Sequence, residues 1–280
     1  MPMKMLAYAK LDSPIHRLTG AAKLLFFALW SMGAMITFDT RFLVGFIVFG
    51  LVLLKVSRVR LREYSFLLYL IGAFFLLNHV AIYLFSPLEG VKIYGTKHVL
   101  LQLPGRYDLT AEQLFYQLNI ALKYLAVIPI AFLFILTTDP GEFAASLNRV
   151  KVSYKIAYAV SIALRYIPDI QRDFQNISFS AQARGVDISA KEKLGKRLRN
   201  VIGILMPLIL SSIERIETIS AAMELRGFGR GKRRTWYKDR PFGPGDYGAL
   251  AFIAVVLAAL VWLTIARGSR FYNVFESPLF

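Results

Sequence analysis

The sequence predicts an all-α, polytopic membrane protein with a long basic segment between its last two membrane spans. Apolar residues make up 56% of its 280 positions, against about 45–50% in an average soluble domain. They gather in five long runs, and a helix needs about 20 apolar residues to cross a bilayer. The net charge of +16 comes from Lys and Arg residues that cluster in some connections and avoid others, which is typical of membrane proteins.

The five apolar runs are the candidate spans. They cover residues 21–38, 42–56, 65–85, about 114–138 and about 247–266. The second run is the shortest, so we expect it to be the weakest span. The third contains Asn78 and His79, which could mark a transport path, although we favour a polar bond to a neighbouring helix. Lys123, near the start of the fourth run, is expected to extend its ammonium group to the outer membrane surface.

The distribution of charge predicts which connections are cytoplasmic. Lys and Arg are concentrated before the first span, between the second and third spans, and in residues 139–246, where 19 basic residues stand against 11 acidic ones. By the positive-inside rule these stretches, including the N-terminus, lie in the cytoplasm. Five spans then leave the C-terminus outside, although Arg267 and Arg270 on that side mildly contradict the rule.

The chain therefore divides into three parts. Residues 1–138 hold about four spans, residues 139–246 form the cytoplasmic segment, and residues 247–280 hold the last span and a tail. The cytoplasmic segment opens with Asp139-Pro140, because an acidic cap followed by proline is typical of a helix start.

Two long amphipathic helices are predicted after this short first helix. They cover about 153–184 and about 190–226, and each carries apolar residues at intervals of three and four that line one face. Pro168 and Pro207 are expected to kink or break them. Glu214 and Glu217 bracket Arg215 and could tie the two long helices together.

Both long helices are predicted to end in the same way. The first closes on Ala183-Arg184-Gly185 and the second on Leu225-Arg226-Gly227, 42 residues further along. Glycine just past a helix satisfies the last carbonyls from a left-handed conformation, so each motif could be an ordinary cap. Because the motif occurs twice on matched helices, we favour docking tips, in which arginine presents a planar fork to a carboxylate on a partner.

Several kinds of chemistry are disfavoured by the residues present. The sequence has no Cys and three His, so it predicts no thiolate site and no zinc site. It has no Gly-Lys-Ser/Thr loop to cradle a phosphate, and no two carboxylates are convincingly placed for acid–base catalysis. We therefore expect no catalytic residue, no metal site and no cofactor. The basic run Arg230-Gly231-Lys232-Arg233-Arg234 suits anionic lipid headgroups better than nucleic acid.

Most of the chain resembles the T component (EcfT) of energy-coupling factor (ECF) transporters. The second motif has Leu225 where Ala is common in that family, while Arg226 and Gly227 are retained. The stretches that carry the resemblance are Ser13-Pro14-Ile15-His16-Arg17-Leu18, Lys23-Leu24-Leu25, Thr137-Thr138-Asp139-Pro140, Leu164-Arg165-Tyr166-Ile167-Pro168-Asp169, Ala183-Arg184-Gly185 and Leu225-Arg226-Gly227-Phe228-Gly229.

This resemblance implies a non-catalytic coupling subunit in the plasma membrane of a prokaryote. It would bind two cytoplasmic ABC-type ATPases, one through each of Arg184 and Arg226. It would also carry one small substrate-binding membrane protein, the S component. ATP-driven closure of the ATPases would move the helix tips and tilt the S component, importing a vitamin or a transition-metal ion.

Two other functions are weighed against this one. A conventional ABC permease with its own substrate path would meet its ATPases through a short coupling loop, which the long basic segment disfavours. A membrane-embedded enzyme would need clusters of His, Asp or Glu inside the spans, and the apolar runs contain almost none.

Overall fold

The structure, a computed structural model, describes residues 13–58, 65–102, 104–105, 107–186, 193–231 and 235–275. It divides into two compact units, the first comprising Met1–Asp139 with Arg240–Phe280 and the second comprising Pro140–Asp239. The predicted all-α class is confirmed, since the described residues form helices apart from one pair of short strands.

The helices and strands follow one another along the chain with mostly short connections. In order they are α1 (Pro14–Arg17), α2 (Gly20–Ile36), α3 (Thr40–Ser57), α4 (Ser65–Phe85), α5 (Glu89–Tyr94), β1 (Val99–Leu101), β2 (Leu109–Thr110), α6 (Ala111–Thr137), α7 (Pro140–Arg149), α8 (Tyr154–Ala183), α9 (Leu194–Leu225) and α10 (Pro244–Arg267).

Four helices of the first unit, α3, α4, α6 and α10, are long and apolar enough to cross a membrane. Helix α2 is also apolar, but its 17 residues reach about 26 Å, slightly less than a bilayer core of roughly 30 Å.

The expectation that the second span is the shortest is wrong. That span, α3, has 18 residues, because Asp39 caps its start by accepting a hydrogen bond from the backbone N–H of Arg41.

The core of the first unit forms where α2, α3, α6 and α10 meet. Trp30 is its largest fully buried side chain, and its ring lies 4.4 Å from that of Phe46 and 5.5 Å from that of Phe49. The indole N–H donates a 3.0 Å hydrogen bond to the carbonyl of Ala126 on α6. Lipid chains are as apolar as these side chains, so close packing and hydrogen bonds, rather than escape from water, stabilise the bundle.

Helix α4 has no buried residue and is joined to α6 by polar contacts. The His79 ring lies with Nδ1 2.9 Å from the carbonyl oxygen of Phe75 and Nε2 3.2 Å from that of Gln117. The Tyr124 hydroxyl donates to the amide oxygen of Asn78 at 3.3 Å. The polar pair of the third span therefore bonds a neighbouring helix, as favoured from the sequence.

Two buried lysines satisfy carbonyl groups at helix ends. Lys123 is 7% exposed, and its ammonium group donates to the carbonyl of Met35 at 2.7 Å and lies 3.1 Å from the centre of the Phe38 ring. It thus caps α2 at the same end of the unit as Asp39 and Arg267. Its extension to the outer membrane surface stays a prediction, and protein groups cover the ammonium there. Lys23 in α2 donates to the carbonyl of Thr137, the last residue of α6, at 2.8 Å.

Contacts between helix ends show which ends lie together. The side chain of Asp246 at the start of α10 accepts from the N–H of Thr19 before α2, at 2.8 Å. At the other end of the unit, Arg267 pairs with Asp39 at 2.5 Å, and the N–H of Phe38 donates to the carbonyl of Arg270 at 3.0 Å. The start of α2 and the end of α10 therefore lie at opposite ends of the unit, as the five spans predicted from the sequence require.

The connection between α4 and α6 is folded and not an open loop. Glu112 in the first turn of α6 is fully buried and accepts hydrogen bonds from the hydroxyl of Thr96 and the N–H of His98, at 2.9 and 3.0 Å. Nearby, the ring of Tyr94 packs edge-on to Phe275, and burial raises the pKa of Tyr94 to about 12. The strands β1 and β2 close this small lobe.

The second unit contains α7, α8 and α9. The short helix predicted at Pro140 is confirmed as α7, and the two long helices are confirmed as α8 and α9, of 30 and 32 residues. Pro168 and Pro207 both lie inside continuous helices, so neither residue breaks its helix. A proline removes one hydrogen bond, and the many bonds on either side of it keep such long helices intact.

Replacing Trp30 by alanine is expected to destabilise the first unit. The substitution leaves a cavity between α2, α3 and α6 and removes the hydrogen bond to Ala126, which should cost about 3 kcal/mol or more. Thermal unfolding in mild detergent measures the effect. Trp262→Ala is the matched control, because Trp262 on α10 is 68% exposed. Equal loss of stability in the two variants would contradict this account of the core.

Candidate functional site: the two Arg-Gly helix ends

Helix α8 ends in a glycine cap formed by the first Arg-Gly motif. Gly185 has a φ of +84°, in the left-handed region that glycine adopts without steric cost. Its N–H donates to the carbonyl of Gln182 at 2.9 Å, and the N–H of Val186 donates to that of Ala181 at 3.0 Å. This pair of bonds is the Schellman arrangement, which satisfies the last carbonyls of the helix.

Helix α9 ends in the same arrangement at the second motif. Gly227 has a φ of +69°, its N–H donates to the carbonyl of Glu224, and the N–H of Phe228 donates to that of Met223, both at 2.9 Å. Arg184 and Arg226 occupy the equivalent capping position of the two helices. The two motifs therefore build one local structure twice, which the sequence repeat had indicated.

Both ends present their polar and apolar groups at the surface. Ala183, Arg184, Gly185, Leu225 and Arg226 are exposed, and Leu225 is 89% exposed. The Nε of Arg184 donates to the carbonyl of Ser180 at 3.2 Å, which leaves the terminal nitrogens of the guanidinium group directed away from that bond. Each site has the form of an exposed helix end that carries the planar donor group of an arginine.

Helices α8 and α9 run antiparallel within the second unit. Beyond the end of α9, the Phe228 ring lies 5.7 Å from that of Tyr154 and 4.9 Å from that of Tyr158, at the start of α8. In the second half of both helices, Arg215 donates to a carboxylate oxygen of Asp173 at 2.7 Å. The tie between the two helices is therefore formed by Arg215 and Asp173, whereas the sequence had suggested Glu214 and Glu217 for it.

The end of α9 is anchored by the chain that follows it. The Trp236 ring lies 6.2 Å from that of Tyr158, and its indole N–H donates to the side-chain oxygen of Asn148 on α7 at 3.1 Å. Close by, Arg149 forms an ion pair of 3.2 Å with Asp239. These contacts hold the residues after the second motif against α7 and the start of α8.

Large apolar side chains cover much of the surface of α9. Only Ile204 and Leu208 are buried among its residues. The exposed members are Leu194, Leu198, Ile202, Leu205, Met206, Ile209, Leu210, Ile213 and Ile216. An exposed apolar surface of this extent marks contact with another protein or with lipid.

The described part of the chain contains no group of three or more His, Cys, Asp or Glu residues that could hold a metal ion. Of the basic run that follows the second motif, Lys232, Arg233 and Arg234 lie outside the described residues.

Comparison with known proteins identifies the family. A family model described as cobalt transport protein (CbiQ) matches residues 12–237. A relative from Bacillus selenitireducens, named energy-coupling factor transporter transmembrane protein EcfT, is 30% identical over 262 residues, which are 91% of this chain and 94% of the relative. The chain belongs to this family of ECF transmembrane components.

Two other relatives with the same name support the assignment over the full length. The protein from Lactococcus lactis is 28% identical over 275 residues, covering 95% of this chain and 99% of the relative. That from Thermanaerovibrio acidaminovorans is 29% identical over 278 residues, covering 93% and 96%. The resemblance stated from the sequence motifs is thus confirmed, and the chain is a multi-pass membrane component of a transporter.

Sequence reasoning missed the residues that position the two helix ends. Asp173 gave no local signal, because its partner lies 42 residues away, and the sequence suggested Glu214 and Glu217 for the contact between the two helices. The role of Phe228 and Trp236 was missed for the same reason. An aromatic residue next to a glycine cap does not indicate a contact with a distant residue. The contact with Tyr158 arises only from the antiparallel packing of α8 and α9.

Substituting Gly185 by alanine is expected to loosen the end of α8. An added Cβ meets no atom within 4 Å, so the effect comes from the left-handed backbone alone and should cost about 1 kcal/mol. That cost corresponds to roughly fivefold faster hydrogen exchange in the last turn of α8, measured by mass spectrometry.

Gly203→Ala is the control for this substitution. Gly203 lies inside α9 with equally open surroundings, and alanine should strengthen the helix there. Unchanged exchange in Gly185→Ala would contradict the capping role of the motif.

Proposed function

We propose that this chain couples two cytoplasmic ABC-type ATPases to a substrate-binding S component within an ECF importer. In this proposal Arg184 and Arg226 each dock into a groove of one ATPase, and the chain itself hydrolyses no ATP. The observation that carries the proposal is the pair of identical, exposed Arg-Gly ends on two long helices.

The geometry of the tips suits them to docking. A Schellman cap fixes the backbone on both sides of the arginine, so a partner meets a side chain on a rigid base. Arginine binds carboxylates through two parallel hydrogen bonds and is enriched among residues that dominate interface energies. Ala183 and Gly185 beside Arg184 are small, which permits close approach of a partner backbone.

The helices between the tips have the properties of levers. With 30 and 32 residues, α8 and α9 are each about 45 Å long. The Asp173–Arg215 ion pair and the contacts of Phe228 tie them to one another. A force applied at one tip is then transmitted along a hydrogen-bonded rod and not absorbed by a loop.

The exposed apolar surface of α9 is the proposed seat of the S component. It combines large side chains with few charges between Ile202 and Ile213, as expected where one membrane protein slides or tilts on another. Movement of the tips would then tilt the S component and release a vitamin or a transition-metal ion into the cytoplasm. The orientation proposed for this cycle places the N-terminus and the second unit in the cytoplasm of a prokaryotic cell.

The alternative of a permease with its own substrate path is less well supported. The polar residues of the third span, Asn78 and His79, are engaged with α6. A cavity of about 200 Å³ in the first unit is lined mainly by apolar side chains, among them Phe26, Phe49 and Phe252. Such a lining offers few groups to a polar substrate.

Reversing the charge at the tips tests the docking proposal. In Arg184→Glu and Arg226→Glu each tip would repel the carboxylates it is proposed to bind, and each variant should weaken ATPase binding by about 30-fold, as loss of an interface hot spot does. The double variant should fail to co-purify with the ATPases in detergent. Lysine at the same positions should restore binding only in part, because it has no planar fork.

The control is Arg172→Glu on α8. Arg172 is an exposed arginine eleven or more residues from either helix end, so the control matches the change in charge. If this control weakens binding as much as the tip variants do, net charge and not docking at the tips explains the effect. Unchanged binding in a folded double tip variant would overturn the proposal.

A further inference from the structure

The ion pair between Asp173 and Arg215 joins equivalent positions of the internal repeat. The two residues are 42 positions apart, which is also the distance between Arg184 and Arg226. Their side chains meet through a 2.7 Å hydrogen bond, with 32% of the Asp173 side chain and 37% of the Arg215 side chain exposed. A residue on α8 therefore contacts its own counterpart on α9.

Between two antiparallel helices, contact between counterparts marks a local two-fold axis. Two helices related by such an axis run antiparallel, and a residue meets its own equivalent solely where the axis passes. Helices α8 and α9 are antiparallel, since Phe228 after α9 packs on Tyr154 and Tyr158 at the start of α8. Asp173 and Arg215 thus mark the pseudo-two-fold centre of the pair.

The two tips lie at equal distances from this centre. Arg184 follows Asp173 by eleven residues, and Arg226 follows Arg215 by eleven residues. At 1.5 Å per residue each arm is about 16 Å long, and the arms point in opposite directions, so the two arginines are roughly 33 Å apart along the helices.

We propose that the Asp173–Arg215 ion pair fixes the register of α8 against α9 and thereby sets the distance between the two tips. These are positioning residues, which contact neither ATPase. That the distance between the two tips matters for ATPase binding rests on the docking function proposed above. The register of α8 against α9 does not depend on that function.

A polar pair is suited to this task because apolar contacts tolerate sliding. Sliding α9 by one turn along α8 moves its tip by about 5.4 Å, and apolar side chains on either side can repack after such a shift. A partly exposed ion pair adds little stability, about 1 kcal/mol or less. Its direction and short length are lost on sliding, however, and single polar contacts are known to select one register between helices.

Neighbouring charges leave few other partners for this pair. Asp169 and Arg172 pair with each other on α8 at 3.5 Å, and Glu214 and Glu217 are exposed on α9. The Arg215 guanidinium also lies 5.9 Å from the Tyr166 ring on α8, a second contact that depends on the same register.

The register is measured directly by the distance between spin labels near the tips. The chain contains no Cys, so the equivalent exposed residues Gln182 and Glu224 can be replaced by labelled cysteines without other changes. In the full-length protein in nanodiscs, pulsed electron paramagnetic resonance should give one narrow distance distribution. Asp173→Arg should broaden it or shift it by about 5 Å, and the charge swap Asp173→Arg with Arg215→Asp should restore it.

Three results would overturn the proposal. The distribution could stay narrow and unshifted in Asp173→Arg, or the swap could stay shifted, which would mean that packing sets the register. If Asp173→Arg does not fold, Asp173→Ala takes its place, and an unchanged distribution in that variant overturns the proposal as well. The control Arg172→Glu breaks an ion pair within α8 alone and should leave the distance unchanged.

Binding to the ATPases separates this proposal from the docking function. If the two tips must match a fixed spacing, Asp173→Arg loses bivalent attachment and its apparent affinity falls by about 100-fold, with recovery in the swap. A shifted distance with unchanged affinity would support the register but contradict docking at both tips.

Discussion

The ends of helices leave carbonyl groups without partners, and the helices of this chain satisfy them in different ways. In the first unit, α2 and α6 end on ammonium groups, because Lys123 donates to Met35 and Lys23 donates to Thr137. A buried lysine is tolerated among apolar helices when carbonyl oxygens surround it. In the second unit, α8 and α9 end on left-handed glycines, which need no partner side chain. Because glycine caps α8 and α9, Arg184 and Arg226 are not needed as caps and lie at the surface. The lysines that cap α2 and α6 are instead buried as part of the structure.

The two units also differ in the contacts that they keep inside. The membrane unit is held by contacts between its own helices, such as the Arg267–Asp39 pair, which offsets the charge of an arginine on the predicted outer side. The second unit exposes much of the apolar surface of α9 and the arginines at its helix ends. The proposed coupling function needs a stable base and exposed contact surfaces, and this chain separates them along its length.

Local rules predicted much of this structure. The bounds of α4 follow from hydropathy, because bilayer thickness sets the length of a span, and the ends of α8 and α9 follow from Gly185 and Gly227, because glycine determines backbone conformation at its own position. Lys123 and Asp173 could not be placed in this way. Their partners, Met35 and Arg215, lie far away in sequence, and any of several nearby groups would have fitted equally well. The sequence predicted a single helix over about 153–184 but left open whether Pro168 kinks or breaks it. The hydrogen bonds on either side of the proline, which keep α8 continuous, are not readable from its local cost.

A residue on a two-fold axis has an evolutionary consequence. If α8 and α9 arose by duplication of one helix, the ancestral pair placed the same residue against itself at the position now held by Asp173 and Arg215. Two like charges at this contact would repel each other, whereas opposite charges could appear only after the copies diverged. The ion pair is then younger than the repeat. It makes α8 and α9 chemically different at the point where they contact each other, so the two helices are no longer interchangeable.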